Sequence, residues 1–138
     1  AANRGEKFTT IFINNAIYGM TGGQMAPTTM PGQRASTAPL GRDTDQTGMP
    51  IRMANLLSQL VTPSYITRQA VLKPQQINKT KKAIKKAFEY QVEGKCFSLV
   101  EVISTCPTNW GLTPLDSLKW AEENLLPYYE LGDFKTPE

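Results

Sequence analysis

The chain has 138 residues, of which 40% are hydrophobic and 20% charged, the size and make-up of one ordinary globular domain. A net charge of +3 is too small to argue for nucleic acid by itself, and the lack of histidine removes His-based triads, His general bases and imidazole metal ligands. No apolar run approaches the length of a bilayer span and the start carries no signal-peptide pattern, so no membrane segment is expected and a cytoplasmic location is.

In chain order, residues 8–13 are β-branched and aromatic almost throughout, which predicts a strand buried on both faces of a parallel sheet. Residues 14–24 form a Gly-rich turn. Residues 25–50 are rich in Pro, Gly and Thr and lack periodicity, so they predict a long loop that lines a site or an interface. A helix is expected from Pro50, with Ile51, Ala54, Leu57, Leu60 and Val61 as its stripe and Pro63 as its stop. Residues 65–71 predict a second strand. Residues 75–91 predict a second helix with Ile77, Ile84, Ala87 and Phe88 on its apolar face. Its outer face carries Lys79, Lys81, Lys82, Lys85 and Lys86. No aromatic residue interleaves with them to stack bases, so they read as a solvated face rather than a nucleic-acid site. Residues 96–103 predict a third strand, and Thr113 with Pro114 the cap and first turn of a third helix. Residues 127–138 predict an irregular aromatic tail. The alternation argues for an α/β fold with a mostly parallel sheet flanked by helices, a single partial domain over residues 1–138.

The turn after the first strand is where chemistry is expected, since ligands of open α/β sheets bind beyond the carboxyl ends of strands. Asn14 and Asn15 offer carboxamide oxygens that a hard cation accepts, and the Gly-rich turn leaves amides free for an anion. The same residues also make an ordinary turn with no ligand. Cys96 and Cys106 would stand about 33 Å apart on one extended strand, too far for a disulfide, and free thiols fit a reducing compartment. Arg68 lies in a predicted buried strand and needs a partner; Glu101 on the third strand is the expected one.

The stretch Asn14-Asn15-x-x-Tyr18-Gly19-Met20-Thr21-Gly22-Gly23-Gln24 is followed by Pro27-Thr28-Thr29, by Gly41-Arg42 with Pro50, by Arg68, and by Cys106-Pro107-Thr108-Asn109-Trp110-Gly111. Together these resemble the β subunit of the 2-oxoacid:ferredoxin oxidoreductases, over nearly the whole chain. The continuation to Thr113-Pro114 and the Tyr128-Tyr129 tail are most similar to the 2-oxoisovalerate, branched-chain type, with the 2-oxoglutarate type still open. The resemblance implies the C-terminal part of a thiamine diphosphate-binding fold. It implies oxidative decarboxylation of a 2-oxoacid to an acyl-CoA, with electrons passed through iron–sulfur clusters to ferredoxin. It implies Mg²⁺ bound by the Asn15 side chain and the Ile17 carbonyl. Gly19, Thr21 and Gly22 would then lie at the diphosphate and Met20 towards the thiazolium. Cys106 would be either the fourth ligand of an iron–sulfur cluster or a small packed side chain. The implied partners are other oxidoreductase subunits, ferredoxin, the 2-oxoacid and coenzyme A, with no nucleic acid and no membrane.

The family pattern also has a Gly-Asp-Gly segment before the Asn-Asn pair, with another Mg²⁺ ligand, and cluster cysteines further upstream. On that ground the chain alone is expected to bind thiamine diphosphate and Mg²⁺ weakly or not at all. Exposed apolar surface on the first strand is expected to drive self-association. A non-catalytic module that retains the fold is the competing reading.

Overall fold

The computed structural model describes residues 1–137. Its strands are β1 (Thr9–Asn14), β2 (Ser64–Ala70), β3 (Phe97–Ile103) and β4 (Gly132–Lys135). Its α-helices are α1 (Thr44–Thr47), α2 (Met53–Ser58), α3 (Pro74–Val92), α4 (Pro107–Trp110) and α5 (Pro114–Asn124), after a 3₁₀ turn at Ala2–Arg4. The chain divides into two compact units. The first holds Ala1–Ile13, Arg52–Ile103 and Tyr129–Glu138; the second holds Asn14–Ile51 and Ser104–Tyr128.

The first unit is built on a sheet of order β1-β3-β2-β4. β2 and β3 run parallel over their full length, from Ser64 opposite Phe97 to Ala70 opposite Ile103. The Ser98 N–H donates to the Phe8 carbonyl and the Ser104 N–H to the Asn14 carbonyl, so β1 also runs parallel to β3. β4 is antiparallel to β2. The sheet is therefore mostly parallel, and α/β as the alternation predicts. Side chains alternate across β2 and β3, as the two-residue period of a strand requires. Tyr65, Val100 and Val102 pack with Ala83 and Ala87 of α3, while Ile66, Phe97 and Leu99 pack with Ala54 of α2.

Four sequence expectations shift. β1 is not buried on both faces: Phe12 packs inward, but Ile11 and Ile13 are 41% and 55% exposed, because β1 is an edge strand. The tail is not wholly irregular, since Gly132–Lys135 adds a fourth strand on β2. The helix after Pro50 is shorter than its stripe and leaves Val61 exposed. The buried side of α3 is Thr80, Ala83 and Ala87, so Ile77 and Phe88 turn outward. Small residues at the contact let this helix lie against the strands. Among the lysines, Lys86 is recruited: its Nζ sits 4.7 Å from the centre of the Tyr65 ring. Burial, reinforced by the neighbouring Asp133 carboxylate, pushes the Tyr65 hydroxyl up to about 12.

The second unit contains two stretches, one following the carboxyl end of β1 and one that of β3. α1 is capped by Asp43, and α5 by Thr113, whose hydroxyl accepts the Asp116 N–H. Trp110 and Trp120 meet at 4.7 Å between ring centres, and the Tyr128 hydroxyl donates to the Pro50 carbonyl at 2.7 Å. No helix among the described residues is long and apolar enough to cross a membrane.

Candidate functional site

β1 ends at Asn14, whose Oδ1 accepts the Ala16 N–H at 3.1 Å. Asn15 repeats the pattern one residue on and accepts the Ile17 N–H at 3.3 Å. Ala16 between them is fully buried and has a φ of 58°. A left-handed alanine costs about 1–2 kcal/mol, so something must hold it there. Thr29 does so: its hydroxyl donates to the Ala16 carbonyl at 2.7 Å and accepts the Ala26 N–H at 2.8 Å.

The turn then closes on itself. The Tyr18 N–H donates to the Gln24 carbonyl at 3.0 Å, and the Gly23 N–H to the Tyr18 carbonyl at 2.9 Å. The Thr21 hydroxyl donates to Gln24 Oε1 at 2.7 Å, and Gln24 Nε2 returns a bond to the Thr21 carbonyl at 2.8 Å. Gly22 and Gly23 take φ values of 116° and 78°, which glycine adopts without strain. Among the described residues, the N–H groups of Gly19, Met20 and Thr21 donate to no partner and the Ile17 carbonyl accepts from none. Successive open amides on an exposed turn suit an anion. A backbone carbonyl beside an Asn carboxamide suits a hard cation. Ile17 is buried and Asn15 half-buried, whereas the Met20 side chain stands fully in solvent.

The segment after β3 seats against this turn. Asn109 Nδ2 donates to the Gly19 carbonyl at 3.0 Å and to Cys106 Sγ at 3.2 Å. A Cβ on Gly19 would stand 2.8 Å from Cys106 Sγ, and one on Gly23 would stand 2.7 Å from Asn109 Oδ1. Glycine at these two positions is thus what admits the Cys106–Asn109 pair. The expected site residues Asn15, Ile17, Gly19, Met20, Thr21 and Gly22 share one turn, and Cys106 meets it at Gly19. Asn109 joins them, although in the sequence it stands out only within the Cys106–Gly111 motif. The signal for it is spacing: three residues after Cys106, it returns to the same side of a short helical turn. A cavity of about 460 Å³ opens beside it, lined by Arg34, Trp110 and Trp120 among others. Among the described residues, no three His, Cys, Asp or Glu side chains are grouped to hold a metal ion, and Cys106 is a half-buried free thiol.

The long loop is ordered by Arg42, which is only 6% exposed. Its Nη1 donates to the carbonyls of Thr29 at 2.7 Å, Pro27 at 2.9 Å and Ala26 at 3.4 Å. Its Nη2 donates to the Gly48 carbonyl at 2.9 Å and the Thr47 carbonyl at 3.3 Å. The planar fork of guanidinium is what allows one side chain to gather these oxygens. Arg68, by contrast, belongs to the sheet unit. Its Nε pairs with Glu101 Oε2 at 2.8 Å, and Nη1 and Nη2 donate to the Glu130 carbonyl and to Asn55 Oδ1. It is a structural pair with Glu101, as the strand pattern predicts.

The strand that ends at Asn14 thus runs through Asn15 into a turn with open amides and an open carbonyl. The model of the thiamine pyrophosphate enzyme C-terminal TPP-binding domain matches residues 1–102, and the chain belongs to that family. Within it, the chain is 50% identical over 98% of its length to the ketoisovalerate oxidoreductase subunit VorA of Methanothermobacter thermautotrophicus. It is 38% identical over 90% of its length to the 2-oxoglutarate synthase subunit KorB of Archaeoglobus fulgidus. It spans 28% of the first relative and 42% of the second. A solved 2-oxoglutarate:ferredoxin oxidoreductase from Magnetococcus marinus, with 2-oxoglutarate, coenzyme A and succinyl-CoA bound, shares the fold. Its TM-score is 0.64 at 24% identity, covering 88% of this chain and 37% of that one.

Proposed function

We propose that this chain is the cofactor-turn part of a thiamine diphosphate-dependent 2-oxoacid:ferredoxin oxidoreductase of the 2-oxoisovalerate type. The enzyme decarboxylates the 2-oxoacid oxidatively, yields an acyl-CoA and passes electrons to ferredoxin. The observation that carries this reading is the turn itself, with open amides at Gly19, Met20 and Thr21 beside the open Ile17 carbonyl and the Asn15 carboxamide. These groups fit a diphosphate held together with Mg²⁺. Asn15 and Ile17 would hold the metal, the amides of Gly19 to Thr21 and the region of Gly22 the diphosphate, and Met20 would lie towards the thiazolium. Thiamine diphosphate supplies the carbanion chemistry when bound. The chain's own residues bind and orient: Thr21 and Gln24 brace the turn, and Asn109 clamps it at Gly19. Cys106 would contribute one thiolate to an iron–sulfur cluster, other subunits or segments supplying the remainder.

The branched-chain assignment rests on the 50% identity to the ketoisovalerate subunit, against 38% to the 2-oxoglutarate one. Other subunits, ferredoxin and coenzyme A are the proposed partners in the cytoplasm. Exposed Ile11 and Ile13 on β1, with Phe8 just before it, favour association with a second polypeptide, which sedimentation velocity measures. The test of function is anaerobic, coenzyme A-dependent reduction of ferredoxin by the intact enzyme that contains this chain. Faster turnover with 2-oxoisovalerate than with 2-oxoglutarate is expected. A preference for 2-oxoglutarate would move the enzyme to that type, and no reduction with either would overturn the reading.

A further inference from the structure

We propose that Thr29 and Arg42 are positioning residues for the cation site of the turn, setting the angle between its two oxygen donors through the backbone of Ala16. This rests on the reading of Asn15 and Ile17 as Mg²⁺ ligands. Ala16 lies between those two residues, so its φ and ψ fix how the Asn15 side chain and the Ile17 carbonyl are presented relative to one another. Its left-handed φ of 58° is not one that alanine holds unaided. Both of its peptide groups are tied. The N–H is taken by Asn14 Oδ1 at 3.1 Å and the carbonyl by the Thr29 hydroxyl at 2.7 Å.

Thr29 is fixed in turn. It is fully buried, its Oγ1 also accepts the Ala26 N–H, and its own carbonyl accepts Arg42 Nη1 at 2.7 Å. The same Nη1 reaches the carbonyls of Pro27 and Ala26, so the whole 26–29 segment is drawn to one guanidinium. Among the described residues no carboxylate pairs with Arg42. Its charge is spent entirely on backbone oxygens, which is the arrangement of a geometric clamp. The line of control therefore runs from Arg42 to Thr29, from Thr29 to Ala16, and from Ala16 to the two donors.

The choice of ion separates positioning from general support. Mg²⁺ demands a near-ideal octahedron at short distances, whereas Ca²⁺ accepts six to eight oxygens in flexible geometry. A loosened Ala16 penalises Mg²⁺ far more than Ca²⁺. The experiment titrates the intact, cofactor-stripped enzyme with Mg²⁺ and separately with Ca²⁺ by calorimetry, with thiamine diphosphate saturating. Thr29→Val removes the hydroxyl and is expected to weaken Mg²⁺ binding by about 10–100-fold, with a much smaller change for Ca²⁺. Thr29→Ser keeps the hydroxyl and restores both the affinity and the ratio. Arg42→Lys keeps the charge, loses the fork and shifts the ratio the same way as Thr29→Val. Equal losses for both ions, or no loss, would overturn the proposal while leaving the cofactor reading intact. A wild-type enzyme that binds neither thiamine diphosphate nor Mg²⁺ would remove the reading itself and this inference with it.

Discussion

Arg68 in the sheet unit and Arg42 in the loop unit are both withdrawn from water, at 0% and 6% exposure, yet their partners differ in kind. Arg68 faces one carboxylate, Glu101, placed opposite it by the parallel register of β2 and β3. The Tyr129 and Phe134 rings flank its guanidinium at 5.3 and 4.9 Å. Arg42 faces the carbonyls of a loop and nothing charged. In the first case regular structure comes first and the ion pair is fitted to it. In the second, the cation takes the place of regular structure and gathers a segment that has almost none of its own.

That contrast can be broken at either end. The largest effect is expected from Glu101→Ala, which strands Arg68 without its counter-charge and also removes the acceptor of the Ala54 N–H. A loss of about 3–5 kcal/mol in urea unfolding is expected; a loss below about 1 kcal/mol would mean that Asn55, the Glu130 carbonyl and the two rings suffice. A smaller and more local effect is expected from Gly41→Ala. Gly41 has a φ of 100°, and a Cβ there would stand 2.5 Å from the Gly32 carbonyl oxygen. The cost is about 1–3 kcal/mol. It should appear as lost hydrogen-exchange protection at the Gly32 and Arg42 amides, whose bonds link the two arms of the loop, with the β2 and β3 amides unchanged.

The smallest effect concerns Tyr65, packed beside Lys86 and Asp133 in the sheet unit. Its folded value of about 12 lies above the ordinary 10.0, so the stability it contributes is complete below pH 10 and is lost as pH rises towards 12. Thermal melts across that window should fall more steeply for the wild type than for Tyr65→Phe. Parallel curves would show that the hydroxyl carries no linkage.

What the sequence made legible follows the same divide. β2, β3 and the Arg68–Glu101 pair were readable because β-branched and aromatic residues mark both strands, and a charge inside a buried strand demands a partner. The turn at Asn14–Gln24 was readable because Asn and Gly have few other uses in such density. β4 was not, because Gly132, Asp133 and Lys135 carry no strand propensity and the pairing is imposed by β2. The face of α3 was read correctly at Ile84 and Ala87 but not at Ile77 and Phe88, because the small Thr80 and Ala83 mark a close contact that a count of large apolar residues overlooks. Arg42, Thr29 and Asn109 work through backbone carbonyls and a glycine, and every residue type offers a carbonyl. Only the three-residue spacing of Asn109 from Cys106 leaves a trace in the sequence; the carbonyl contacts of Arg42 and the Thr29–Ala16 bond leave none.

The bond from Asn109 to the Gly19 carbonyl joins residues 90 positions apart. Closing so long a loop of free chain carries a large entropic cost, and such contacts form late in folding. Here the Ser104 N–H already meets the Asn14 carbonyl at 3.0 Å, at the end of the β1–β3 ladder. Once those strands zip, only the short arms from Asn14 to Gly19 and from Ser104 to Asn109 remain to be joined. The effective loop closed by the Asn109–Gly19 bond is therefore set by the Ser104–Asn14 bond and not by the 90 residues of chain between them.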